Sequence, residues 1–178
     1  MKTKGSAMRP FLYAVLFLIL FLFEFVFTPI RILGICPQYL LCGVVCLALC
    51  ENEKYAALFG LIFGLLADFA GGAEWFGITP IFFVLISYIV GYLKYRFWRC
   101  SLWNSLIAVS ISVFVRDIVT MLVLLLRYDT QTIHIPGALL KIVLPKLLMT
   151  VVADVILYFI IKKISVNKKW RRYDEIYY

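Results

Sequence analysis

Histidine is almost absent from this chain, and charge is scarce. His134 is the single histidine, and 16% of the 178 residues are charged, against about 25% in a soluble domain. With its one histidine in a polar loop, the chain gives little basis for a membrane hydrolase that uses a His base. No His-Glu-x-x-His zinc helix, no Gly-x-Ser-x-Gly elbow and no Walker-type phosphate loop occurs. A rhomboid-like or metalloprotease activity therefore finds no support. No residue is assigned to catalysis, to a metal or to a cofactor, and the chain reads as non-enzymatic.

Cysteine is present but sparse, at Cys36, Cys42, Cys46, Cys50 and Cys100. Three of the five recur every fourth residue, so they share one helix face. Zinc needs convergent thiolate or imidazole ligands, and His134 lies far off in another loop. These cysteines read as small residues packing a helix in lipid. They imply no disulfide framework.

What the chain has in excess is apolar length: 64% of its residues are apolar, in long runs broken by short charged punctuation. Bilayer solvation demands that pattern. The net charge of +8 does not point to nucleic acid, because the basic residues flank apolar runs and form no patch on a polar surface. The expectation is an all-α, polytopic membrane bundle of about six transmembrane helices, leaving no room for a soluble domain.

The spans are expected at about 10–30, 36–50, 55–71, 75–93, 101–126 and 137–161, with a basic tail over 162–178. The first follows Lys2, Lys4 and Arg9 and is too long for a signal core, so it reads as an uncleaved span. The second is short and enters through Pro37. Glu51 to Lys54 separates it from the third, and Gly71-Gly72 ends the third. With both termini in the cytoplasm, the inner segments hold thirteen Lys and Arg against three outside, Arg31, Arg127 and Lys141 near the boundary. That asymmetry sets the orientation and requires an even number of spans. The tail reads as a topology anchor; contact with anionic lipid, or docking of a cytoplasmic partner, is the alternative.

Six ionisable residues lie inside the spans: Glu24, Asp68, Arg116, Asp117, Lys146 and Asp154. Insertion scales put the penalty at about 2.5–3.5 kcal/mol each at a span centre, so they should face inward and pair. Asp117 lies ten residues before Arg127, and Lys146 ten after Pro136. Equal rise per residue places the two at one depth on consecutive antiparallel helices, and they are expected to pair. Arg116 points about 100° away from Asp117 and should seek Glu24 or Asp68. Asp154 lies deeper, with no obvious partner. An outer cluster of Glu24, Asp68, Arg116, Asp117 and Lys146, which Lys141 would help to neutralise, then has two readings. It fixes helix register, the favoured one, or it lines a solute pathway.

Span three carries a small-xxx-small pair, Gly60 and Gly64, that lets another backbone approach closely. Asp68 lies four residues beyond Gly64, on the same face, and Gly71-Gly72 follows. Gly64-Leu65-Leu66-Ala67-Asp68, the glycine-rich turn, Phe76-Gly77 and the apolar run ending Ser87-Tyr88-Ile89-Val90-Gly91-Tyr92-Leu93 resemble the rod shape-determining protein MreD family. The motif covers about a fifth of the chain, and the other spans match in layout.

The resemblance implies a scaffold of the cell-elongation machinery in the bacterial cytoplasmic membrane. It would maintain rod shape and organise lateral peptidoglycan synthesis. Its direct partner would be MreC, through a membrane helix, and through MreC it would reach MreB, RodA and a class B penicillin-binding transpeptidase. Gly64, Asp68 and Gly77 carry over as architectural residues. The Gly60/Gly64 face is a candidate for packing, within the bundle or against an MreC helix. The alternative is an S-component of an energy-coupling-factor transporter, which captures a small solute such as a vitamin on the outer side. Such proteins often carry an Ala-xxx-Ala docking pattern in the first span, where this chain has six phenylalanines through Phe27. A small secondary transporter would show an inverted repeat with broken helices, and the prolines occupy no matching positions in the two halves.

Overall fold

In a computed structural model of the protein, residues 8–27, 37–51, 53–71, 76–96, 101–127 and 143–165 are described. They form a six-helix, all-α membrane bundle. The helices are α1 (Met8–Leu22, continued by a π-helical turn at Phe23–Phe27), α2 (Tyr39–Cys50), α3 (Glu53–Gly71), α4 (Ile78–Arg96), α5 (Leu102–Arg127) and α6 (Leu144–Ser165). By length and composition α3, α4 and Leu102–Leu122 of α5 can each cross a membrane, while α1 and α2 are shorter apolar helices. The expected sixth span begins at 137, outside the described residues. Its helix continues past 161 to Ser165, so Lys162 and Lys163 stand on the last helical turn.

The short second helix is the centre of the bundle. Every residue from Leu40 to Leu49 is buried, and α1, α3, α4, α5 and α6 all pack on α2. A helix enclosed on all sides must be apolar or small all round, which Tyr39-Leu-Leu-Cys-Gly-Val-Val-Cys-Leu-Ala-Leu-Cys50 is. Phe17 of α1 closes one side. Its ring stacks on Phe59 at 5.4 Å and leans on Phe63 at 5.5 Å, and both partners belong to α3. A methyl on Gly43 would reach within 2.8 Å of Leu20 Cδ1. Phe11 points outward, 65% exposed, as a lipid-facing side chain does.

The ends of α2 are held by side chains from other helices. At its C-terminal end, Lys94 Nζ donates to the Glu51 carbonyl at 2.5 Å and Ser165 Oγ to the Cys50 carbonyl at 3.3 Å. Tyr13 OH donates to Glu51 Oε1 at 2.7 Å. These bonds bring the start of α1 to the ends of α2, α4 and α6, as in an up-and-down bundle. They satisfy carbonyls that a helix end leaves without partners, and the Lys94 charge suits the negative end of the helix dipole.

The most extensive helix pair is α3 with α4, and glycine is the reason. A Cβ on Gly64 would lie 2.6 Å from Pro80 Cα, and one on Gly60 would lie 3.0 Å from Phe83 Cβ. The glycine face predicted from span three is thus occupied by the bundle's own α4. Asp68 Oδ2 accepts the Gly77 backbone N–H at 2.7 Å, which locks the turn that starts α4. Gly77 has φ +101°, a conformation that costs other residues about 1–2 kcal/mol. Gly64→Ala is expected to lower the thermal midpoint of the detergent-solubilised protein more than Gly60→Ala, because backbone blocks the first and a side chain the second. Overpacking of this kind costs about 1–3 kcal/mol. Equal midpoints for both variants and wild type would show that α3 and α4 are not in close contact.

Candidate functional site

Of the six intramembrane ionisable residues, Glu24, Arg116, Asp117 and Lys146 gather near the start of α2, while Asp68 and Asp154 serve other places. Glu24 sits in the π-helical turn that ends α1. Its Oε2 accepts the Leu40 backbone N–H at 2.8 Å. The residue preceding α2, Gln38, makes no side-chain capping bond, so Glu24 caps α2 from a neighbouring helix. A carboxylate at a helix N-terminus satisfies orphan N–H groups and meets the positive end of the dipole. Arg116 and Lys146 are the cations whose fields reach Glu24.

Lys146 and Asp117 form an ion pair, Nζ to Oδ1 2.6 Å. Gln38 Nε2 approaches the same Asp117 oxygen at 3.5 Å. The pair therefore ties α5 and α6 to the entry of α2. Arg116 lies within the field of Glu24, one of the two carboxylates that sequence spacing suggested. Its guanidinium carbon stands 5.4 Å from the centroid of the Phe83 ring, a cation–π contact worth about 2 kcal/mol or more when desolvated. Asp68 instead accepts the Gly77 N–H. Lys141 lies outside the described residues.

Asp154 has partners that the sequence did not reveal. It is fully buried, and its Oδ1 accepts from Cys46 Sγ at 2.9 Å and from Ser105 Oγ at 3.2 Å. Cys46 Sγ and Ser105 Oγ are themselves 3.3 Å apart. Cys42 Sγ reaches the Thr150 carbonyl at 3.6 Å, and the Gln38 N–H approaches Thr150 Oγ1 at 3.4 Å. The cysteine face of α2 thus meets a polar face of α6 and is no purely apolar packing surface. A signal for this was available. Lys146, Thr150, Asp154, Tyr158 and Lys162 recur every fourth residue, the same interval as Gln38, Cys42, Cys46 and Cys50. Two stripes of equal period face each other when their helices pack side by side. Cys36, Cys100 and His134 lie outside the described residues.

Two surface grooves accompany this interior. One, about 640 Å³, runs along α3 and α4 and includes Leu61, Leu65, Pro80, Ile81 and Tyr88. The other, about 360 Å³, lies between α2 and α6 and includes Pro37, Tyr39, Met149 and Ile156. Both are apolar, and neither is lined by Glu24, Asp68 or Arg116. Among the described residues no group of three His, Cys, Asp or Glu side chains is placed to hold a metal.

A family profile described as rod shape-determining protein MreD matches residues 4–166. The chain belongs to the MreD family. The match takes in all six helices, where the sequence motif spanned only Gly60 to Leu93. MreD-family membership carries a rod-shape-determining role, and together with the apolar helices it marks an integral membrane protein. No curated protein and no solved structure matches the chain.

The ion pair has a measurable consequence. Removing one partner strands a charge in a low dielectric, at a cost of order 2–5 kcal/mol. Asp117→Leu and Lys146→Met are each expected to lower the thermal midpoint strongly, and the double substitution by much less than the sum. An additive double-mutant cycle would show that the two charges do not interact.

Proposed function

We propose that this MreD-family chain is a non-enzymatic scaffold of the bacterial elongation machinery. It lies in the cytoplasmic membrane with six crossings and both termini inside. It binds MreC, and through MreC it helps organise MreB, RodA and a class B penicillin-binding transpeptidase for lateral wall synthesis. The carrying observation is the family match across residues 4–166. The interior agrees with a scaffold: Glu24, Asp68 and Asp117 hold helix ends, a turn and a neighbouring helix. The orientation rests on thirteen inner basic residues against three outer ones.

The transporter alternative called for an outer pocket lined by Glu24, Asp68 and Arg116. Both carboxylates accept backbone N–H groups, and the two grooves among the described residues are lined by other, apolar side chains, which favours the scaffold reading.

Complementation tests it. In a rod-shaped bacterium depleted of its own MreD, expression of this chain is expected to restore rods, and tagged MreC is expected to co-purify with it from detergent extracts. Round cells despite normal membrane levels, with no MreC recovered, would overturn the reading. The Gly60/Gly64 face already packs on α4, so Gly64→Ala should reduce MreC recovery only in proportion to the folded protein remaining. A selective loss at full folded yield would place MreC on that face.

A further inference from the structure

At the seam between α2, α5 and α6 several buried side-chain polar atoms have no partner within the protein, among them a donor, Arg116 Nη1. Three oxygens there are buried without a partner: Gln38 Oε1, Asp117 Oδ2 and Asp154 Oδ2. Gln38 and Asp154 are 5% and 0% exposed. Each orphan belongs to a residue whose other polar atom is already engaged within the seam. A buried acceptor left unpaired costs about 1–3 kcal/mol, and three on one interface is a systematic feature. The nearby hydroxyl hydrogens are already committed, Thr150 Oγ1 to the Lys146 carbonyl and Ser105 Oγ to Asp154 Oδ1.

We infer that this seam is a water-binding site inside the bundle, with Asp154 as its deepest ligand. The donor required must be small, neutral and able to give two hydrogen bonds while accepting others. Water is that donor, and a buried water makes about three hydrogen bonds. At the inner position it donates to Asp154 Oδ2, beside Cys46 and Ser105, whose hydrogens go to Asp154 Oδ1. At the outer position it donates to Asp117 Oδ2 and Gln38 Oε1. There Lys146, an ammonium with three N–H donors, gives it a hydrogen bond in return. The entry lies at this outer end, where the Lys146 and Asp117 side chains remain 20% and 12% exposed. A metal ion does not fit, since no third His, Cys, Asp or Glu converges with Cys46 and Asp154 among the described residues.

The Cys46 thiol reports on this directly. Its S–H stretch is isolated by an infrared difference between wild type and Cys46→Ala, or Cys46→Ser where Ala does not fold. On transfer to D2O, the Cys46 S–H is expected to exchange at least about tenfold faster than the backbone amides of α2, whose protection reports opening of the bundle. Asp154→Leu, which removes the deepest ligand, is expected to slow the S–H exchange to the amide rate, whereas Asp154→Asn keeps it fast. A wild-type thiol that exchanges no faster than the α2 amides would overturn the inference. So would equal fast exchange in Asp154→Leu. The test needs no MreC, so its failure leaves the scaffold reading untouched.

Discussion

A helix that is enclosed by protein within a membrane must find partners for both of its ends. A helix leaves four leading N–H groups and four trailing carbonyls without partners, and in hydrocarbon each unsatisfied group costs several kcal/mol. α2 is that helix here. Glu24 meets it at the N-terminal end, and Lys94 and Ser165 meet it at the C-terminal end. These residues come from α1, α4 and α6. The arrangement of the outer helices is therefore tied to the capping of the inner one.

The same constraint explains which charges pair. Glu24 and Asp68 each answer a backbone N–H, at the start of α2 and in the turn before α4. Asp117 pairs with Lys146, and Arg116 stands over the face of Phe83 within the field of Glu24. Each bond ties one helix to another at a fixed height. The rest of the registration is steric: Gly64 seats the backbone at Pro80, and Gly91 seats the side chain of Glu53. Polar anchors and glycine contacts together give a rigid body whose outward side chains, such as Phe11, Ile81 and Trp103, are apolar and free for lipid or partner helices.

The seam of α2, α5 and α6 differs in kind from the α3–α4 hairpin. The hairpin is closed by backbone proximity, and a side chain at Gly64 would have to displace the Pro80 backbone. The seam is closed by thiols, hydroxyls, an amide and carboxylates. Polar contacts between membrane helices contribute modestly, about 0.6 kcal/mol on average. α6 is thus held by weak polar bonds and the Lys146–Asp117 ion pair beside its buried Leu157, Tyr158 and Ile161, whereas α3 and α4 are held by shape.

Much of this was written in the sequence. Apolar run length determined that the chain is a helical membrane protein, because a bilayer accepts few other backbones. Glycine and aspartate spacing in span three marked a close-packed face, and counting rise per residue put Asp117 and Lys146 at one depth. Those are one-dimensional quantities, fixed by helix geometry within a span or across one short loop. The tertiary structure decided the rest. That the short second span lies at the centre, that Glu24 serves α2 and that Arg116 rests on Phe83 all depend on which helices are neighbours. Asp154 meets Cys46 and Ser105 across separations of 108 and 49 residues. The four-residue stripes of α2 and α6 mark polar faces, but which faces meet follows from enclosing α2, whose buried polar groups are satisfied by whatever packs against them.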